Sequence, residues 1–341
     1  MANWYLESGK ESDVVISTRI RLARNIAGIP FTNRFTPNQA ENILQKIEEI
    51  IPTLGYGLKV IRMKNCDGVT KQSLVEKHMI SPEFANAKPV ETKAIILNEE
   101  ENICIMIGEE DHLRLQVFHE GLDLENVLNL AVEIDEKLNE KLNYACHAEY
   151  GYLTACPTNV GTGMRASVMV HLPGLSLTGN IGKVLNVVGN FGMTIRGVYG
   201  EGTQSKGDIY QISNNQTLGV SEKEIVKSLK MMTEKVIAQE RMARKVLASK
   251  PLELEDTVYR AFGILTNARK LTADECMKLL SEVKLGTDLG IIKEMTDYKV
   301  KQLELYTKPA NLQKYLGEAL DAYARDCKRP EVIRQVLKEN K

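Results

Sequence analysis

What this sequence has little of narrows its function first. Aromatic residues make up 6% of its 341 residues, with one Trp, which leaves little material for the stacking platforms that hold single-stranded nucleic acid. Charge of one sign is not in excess either. Against 44 Lys and Arg stand 45 Asp and Glu, a formal net charge of -1, which argues against coating a nucleic acid or a membrane surface but leaves room for local clusters. No apolar run approaches the roughly 20 residues that span a bilayer, and the opening MANWYLESGKESD lacks the basic-then-apolar order of a secretory leader. A cytoplasmic chain is expected. The six cysteines, at 66, 104, 146, 156, 276 and 327, form no CxxC pair and no spaced Cys/His metal set, so no metal site is expected and most read as buried thiols of a reducing compartment. Cys156 is the exception, set in the polar, Gly-rich TACPTNVGTG. Also missing are GxxxxGK[ST], HRD and DFG, which excludes the P-loop and protein-kinase phosphate machineries. GTGMRA (Gly161 to Ala166) fits G-x-G-x-x-A but leads into a strand, whereas the dinucleotide fingerprint opens a helix.

What is present falls into two parts. With 43% hydrophobic and 26% charged residues, the composition is that of one large or two medium globular domains. From about residue 10 to 220, short strand-like runs at 14–22, 94–98, 103–108, 113–118, 165–172 and 209–213 alternate with turns and a few helices. Apolar residues recur at helical spacing from Ile43 to Ile51 and from Leu124 to Leu138, and a capping box of Ser221 and Glu224 opens a long helix that runs to about Ser249 before Pro251. Beyond Pro251 the pattern is wholly helical, with segments from Val258 to Arg269 and from Thr272, capped with Glu275, to Lys284. The expected fold class is therefore α+β. Residues 1–250 form a domain with a mainly antiparallel sheet flanked by helices, and 251–341 a small all-helical C-terminal domain.

Several arginines sit at strand positions. Arg19 and Arg21, two apart in STRIRLARN, point to one face of a strand; Arg114 follows the acidic cluster Glu109, Glu110 and Asp111; Arg165 lies beside a Gly turn and Arg196 before a Gly-rich loop. Any one of them alone reads more readily as a solvated surface cation. Converging from separate strands, their guanidinium forks match phosphate oxygens.

The segments STRIRLARN, GEEDHLR, LTACPTNVGTGMRAS and IRGVYGEG, in this order and spacing, resemble the catalytic domain of the phosphagen (guanidino) kinases over residues 10 to 245. The helical domain that precedes it in creatine and arginine kinases has no counterpart ahead of Ser17. Instead a helical domain follows, whose AFGILTNARKLTADECMKLLSEVKLGTDLGII is similar to the C-terminal domain of the bacterial protein arginine kinases. The resemblance implies that Arg19, Arg21, Arg114, Arg165 and Arg196 hold the phosphates of ATP. It adds three nucleotide-binding segments: Ser17, Thr18, Arg19, Ile20 and Arg21; Arg165, Ala166, Ser167, Val168 and Met169; and Arg196, Gly197, Val198, Tyr199, Gly200 and Glu201. His78 then lies near the base, Glu110 is the catalytic carboxylate, Glu201 grips the guanidinium, and Cys156 is the reactive-site cysteine. ARDCKRPE, in the last helix, resembles the RDxxRA motif that binds phosphoarginine in that family, with Arg325, Asp326 and Arg329 in place and Pro330 where Ala is usual.

The chemistry accounts for these residue types. A guanidinium, with a pKa above roughly 12, is no nucleophile until a base takes its proton, and a carboxylate pair can both orient the planar group and accept that proton. Arginines and Mg²⁺ offset charge on the phosphoryl oxygens. The expected function is thus phosphorylation of arginine side chains in proteins from ATP and Mg²⁺, which the resemblance connects to Clp-protease degradation in stress response. A kinase of free arginine or another small guanidino compound is the first alternative, and a non-catalytic phosphoarginine-reading adaptor the second. Expected partners are proteins with exposed arginine, a zinc-finger activator and the Clp chaperone or protease, with a homodimer left open. The C-terminal domain reads as regulatory, through phosphoarginine, or as a dimerisation module.

Overall fold

The computed structural model describes residues 4–198 and 205–339. In chain order its elements are β1 (Val15–Arg24), α1 (Pro37–Ile50), β2 (Lys59–Arg62), α2 (Gly68–Glu76), α3 (Pro82–Ala85), β3 (Ala94–Leu97), β4 (Ile103–Ile107), β5 (Leu113–Glu120), α4 (Leu124–Leu142), β6 (Cys146–His147), β7 (Gly151–Tyr152), β8 (Met164–His171), α5 (Pro173–Leu177), α6 (Ile181–Asn190), β9 (Met193–Gly197), β10 (Ile209–Asn214), α7 (Glu222–Ala248), α8 (Pro251–Asn267), α9 (Ala273–Asp288), α10 (Asp297–Tyr306), α11 (Pro309–Leu316) and α12 (Ala322–Lys338). Eight strands form one sheet in the order β2-β3-β4-β5-β1-β8-β10-β9, every pairing antiparallel. β6 and β7 make a separate small hairpin.

Two-residue periodicity divides this sheet into unlike faces. Ile20 and Leu22 of β1, Leu115 and Val117 of β5, Ala166 and Val168 of β8, and Ile212 of β10 are buried on one face, in a core shared with Ile43, Leu44 and Ile47 of α1, Leu128, Ala131 and Ile134 of α4, and Leu229 and Val236 of α7. The residues between them face the other way and carry the functional side chains. On that second face α2 and α3 cover only the β3–β4–β5 end, through Leu74, Met79, Phe84, Ile95, Cys104 and Phe118.

The helices follow their local signals, with two differences. α7 has the reciprocal Ser221–Glu224 capping box. Pro251, expected only to stop that helix, also starts the next one at its first position, where a missing N–H costs nothing. α9 runs past Lys284 to Asp288, and Gly286 within that last turn lets α8 approach: a Cβ there would lie 2.2 Å from Val258 Cγ1. β2 and β9, of four and five residues, escape the sequence reading. A second core, among Leu254, Val258, Leu265, Leu280, Val283, Val300, Ile333 and others, joins α8, α9, α10 and α12.

All six cysteines are free, but only Cys104 and Cys276 are buried; Cys66, Cys156 and Cys327 are half-buried and Cys146 is exposed. The expectation of mostly buried thiols is corrected here, since apolar sequence neighbours on a strand or turn do not fix the side of the chain on which a thiol lies.

Candidate active site

Strand register brings the arginines together. Across β1, Arg19 pairs with Phe118 of β5 and Ser167 of β8, Arg21 with Gln116 and Arg165, and Ala23 with Arg114; across β10, Gln211 pairs with Met169 and with Arg196 of β9. Directly paired residues share a face, so Arg19, Arg21, Arg114, Arg165 and Arg196 all lie on the polar one. Arg19 donates from Nε to Ser167 Oγ at 3.3 Å and from Nη2 to Gln211 Oε1 at 2.9 Å. Arg165 reaches Ser213 Oγ at 3.3 Å. Arg21, by contrast, makes no hydrogen bond or ion pair with another described residue. Burial, and then the repulsion of Arg114 and Arg165, pushes the Arg19 guanidinium down to about 10, and Arg21 is lowered well below its ordinary value by burial and by Arg19, Arg114 and Arg165. Arg19 stays protonated at neutral pH, so the face is a cluster of like charges that a bound polyanion would relieve.

At one end of the cluster stands the acidic loop between β4 and β5. Arg114 joins its carboxylates, with Nη1 at 2.8 Å from Glu109 and Nη2 at 3.2 Å from Glu110. Glu109 also accepts from Ser81 Oγ at 2.9 Å and from the Glu110 backbone N–H at 2.8 Å, which leaves Glu110 as the exposed member. Asp111 turns inward. Its Oδ1 accepts from Asn25 Nδ2 at 2.6 Å and from the Ala155 N–H at 2.7 Å, binding the Glu110 loop to the loop of Cys156. Cys156 itself is half-buried, its Sγ 3.0 Å from Thr158 Oγ1. Sequence reasoning gives Glu109 and Asp111 no role; the only signal for them is the unbroken acidic run Glu109 to Asp111.

Toward the other end, Ser17, Arg19, Ser167, Met169 and His78 line a cleft of about 1210 Å³, open solvent included. His78 is kept neutral by burial and by the nearby cations Lys308 and Arg19, which hold it well below the usual imidazole range. Thr18, Ile20, Ala166 and Val168, expected in the nucleotide segments, sit fully buried on the opposite sheet face, so only their backbone is within reach of a ligand. Gly197 ends β9 and the Val198 N–H donates to Ile209 O at 2.9 Å. Tyr199, Gly200 and Glu201 lie outside the described residues.

In α12 the three expected phosphoarginine residues differ in state. Arg325 is half-buried and donates from Nη1 to Leu320 O at 2.8 Å. Arg329 is 1% exposed, and its donors go to Thr307 O at 2.8 Å, to Leu271 O, and to Asp326 Oδ1 at 2.8 Å. The pair therefore does not form the symmetric, open clamp that an i, i+4 spacing implies. Pro330 does not end the helix. The carbonyl it leaves without a helical donor, Asp326 O, accepts instead from the Leu271 N–H at 2.9 Å.

Among the described residues no group of three or more His, Cys, Asp or Glu could hold a metal ion. Mg²⁺ needs no such cage, because it binds largely through substrate phosphates and water.

Comparison with known proteins gives the same reading over almost the whole chain. Residues 40–243 match the family model described as ATP:guanido phosphotransferase, C-terminal catalytic domain, and residues 251–341 match that of the protein-arginine kinase McsB C-terminal domain. The protein-arginine kinase of Halothermothrix orenii is 47% identical over 99% of this chain and 97% of its own length, and that of Bacillus subtilis 42% identical over 99% and 93%. Among solved structures, lombricine kinase aligns with a TM-score of 0.61 at 26% identity over 71% of each chain. The duplicated taurocyamine kinase of Schistosoma mansoni, solved with transition-state-analogue components, aligns at 0.59 and 27% over 67% of this chain and a third (33%) of its own. The chain is a member of the ATP:guanido phosphotransferase family, in its protein-arginine kinase branch.

Proposed function

We propose that the enzyme moves the γ-phosphoryl group of ATP to arginine side chains of proteins, with Glu110 accepting the guanidinium proton. The observation that carries this reading is the continuous path on one sheet face from the cleft at Ser17 and Arg19, past Arg21 and Arg165, to Arg114, Glu110 and the Cys156 loop. A triphosphate along that path would meet guanidinium forks from neighbouring strands, and its terminal group would arrive where the carboxylates are. Glu110 fits the role of base because it is the exposed member of the acidic pair, while Glu109 is already held by Ser81, Arg114 and a backbone N–H. Arg114 pairs with Glu110 in the free enzyme and holds its carboxylate toward the face. The Cys156 thiol, on the loop that Asp111 pins through the Ala155 N–H, would supply a further contact to the incoming guanidinium. Mg²⁺, when bound, offsets phosphoryl charge.

Glu201 as the grip on the substrate guanidinium, and the role of Arg196 to Val198 at the edge of the nucleotide, belong to the same proposal and rest on the family resemblance. So do marking of substrates for Clp-protease degradation in stress response, an activating zinc-finger partner, a cytoplasmic location, a homodimer, and a regulatory pocket for phosphoarginine in α12. For that pocket the geometry favours Arg325 as the phosphate-facing cation, with Arg329 as its structural support.

The substrate class is tested by offering ATP and Mg²⁺ with either an unfolded arginine-containing protein or free arginine, and assaying both at neutral pH because the P–N bond is acid labile. Transfer to the protein at a kcat/KM well above that for free arginine is expected. Preference for the free amino acid would move the enzyme to the small-guanidino kinases.

A further inference from the structure

The cleft beside Arg19 has two walls of different origin. One is the polar sheet face, with Phe118, Met169 and Ile209; the other comes from α9 and α10, with Met277, Leu280 and Leu305. Apolar side chains on both sides suit a flat, uncharged ring system. A single carboxylate from the helical wall, Glu304 of α10, joins this lining, and it makes no hydrogen bond or ion pair with a described residue. The cations that face it are engaged elsewhere. Lys284 pairs with Asp288 at 3.0 Å and Asp297 at 3.4 Å, Lys301 pairs with Asp297 at 2.7 Å, and Lys308 donates to Glu76 O at 2.9 Å. Burial raises the Glu304 carboxyl above its ordinary value, as a half-buried carboxylate short of donors requires.

Such a group repels phosphate and attracts N–H or O–H donors. Lys77, Lys301 and Lys308 line the same cleft but are held by Glu101, Asp297 and the Glu76 carbonyl, so the open arginines take the phosphates of a nucleoside triphosphate and a donor at its other end can meet Glu304. We infer that Glu304 recognises the nucleoside half of ATP by accepting hydrogen bonds from its amine or hydroxyl donors, so that the C-terminal helical segment completes a nucleotide site begun on the sheet. This rests on ATP being the phosphoryl donor. The 6-amino group of the base and the ribose hydroxyls offer the same chemistry, and the test separates them.

The full chain, as wild type, Glu304→Gln and Glu304→Ala, is assayed on a protein substrate with Mg-ATP, Mg-ITP, which lacks the 6-amino group, and Mg-2′,3′-dideoxy-ATP, which lacks the ribose hydroxyls. Glu304 has no internal partner to lose, so both variants are expected to fold. Loss of a hydrogen bond to a charged group should raise the KM for ATP about 10- to 100-fold in Glu304→Ala, and less in Glu304→Gln, whose amide oxygen still accepts, with the loss seen in KM rather than in kcat. The wild type should discriminate by a similar factor against the analogue that lacks the recognised donor, and the Glu304→Ala variant should lose that discrimination. Loss confined to the ITP arm assigns the base amine, and loss confined to the dideoxy arm assigns the sugar. A KM for ATP within twofold of wild type in Glu304→Ala, or an equal rise for all three nucleotides, would overturn the inference. Failure of the underlying reading looks different: the wild type would then turn over none of the three nucleotides.

Discussion

Arg114 is the residue on which the two halves of the site depend, because one guanidinium fork spans both Glu109 and Glu110 while standing among the clustered arginines of the polar sheet face. Its value lies in shape as much as in charge. Lysine would keep the charge but offers one donor centre, so it cannot hold two carboxylates 2.8 and 3.2 Å from separate nitrogens. Arg114→Lys should therefore lose about 10²-fold in kcat, nearly as much as Arg114→Ala, the usual effect of removing one transition-state donor. Steady-state rates of the two variants check this; a Lys variant near wild type would mean that only bulk charge matters here. Much of this residue-level picture is legible in the sequence. The five arginines and Glu110 stand out by type and motif, yet their common face follows only from register, which no single strand reveals. Glu304 was invisible for a related reason. In VKQLELY it reads as one more charge on the solvated side of a helix, and only the packing of α10 over the sheet turns it into a cleft.

At the scale of elements, α12 shows how a motif and a scaffold share the same residues. Arg329 supplies donors to the carbonyls of Thr307 and Leu271, which tie the start of α9 and the end of α10 to α12, whereas Arg325 touches one carbonyl of the preceding loop. Truncation should separate the two roles. Arg329→Ala leaves buried acceptors and Asp326 without partners and should destabilise the helical segment by about 3 to 5 kcal/mol, while Arg325→Ala should stay within about 0.5 kcal/mol. Urea unfolding of the full chain measures both, and equal midpoints for the two variants would contradict this division. Helix ends were readable where caps and prolines mark them, as at Ser221 and Pro37. β2 and β9 were not, since four or five residues carry too few alternations to stand out from loop.

For the whole molecule, the decisive feature is a set of buried polar groups where the two cores meet. Arg244 of α7 bonds Glu240 at 2.7 Å and Asp288 of α9 at 3.3 Å; Glu76 accepts from the N-terminal N–H groups of Ala310 and Asn311 in α11 at 2.8 and 2.9 Å. His171, at the end of β8, bonds Ser281 of α9 at 2.9 Å, and Ser281 in turn donates to Asp208 at 2.9 Å. Burial, with Lys284 and Arg244 nearby, holds His171 well below the usual imidazole range. The sign follows directly. The folded state keeps this ring neutral while the unfolded chain binds a proton below about pH 6.5, so its contribution is complete above that pH and is lost as pH falls toward the folded value. Replacing it, as His171→Gln, should flatten the fall of unfolding free energy between about pH 6.5 and 5 by up to about 1.4 kcal/mol per pH unit. Chemical denaturation at a series of pH values reads that slope; parallel curves for variant and wild type would show that the ring titrates freely.

The central claim is that a cationic sheet face delivers the terminal phosphate of ATP to a guanidinium whose proton Glu110 accepts. It is tested most directly by single-turnover transfer to a protein substrate at neutral pH, followed by ³¹P NMR, with wild type and Glu110→Gln. The account predicts a P–N resonance on arginine from the wild type, and from the variant the same product formed roughly 10² to 10⁴ times more slowly at nearly unchanged ATP affinity. A variant within a few fold of wild type, or phosphate found on hydroxyl oxygens, would contradict it.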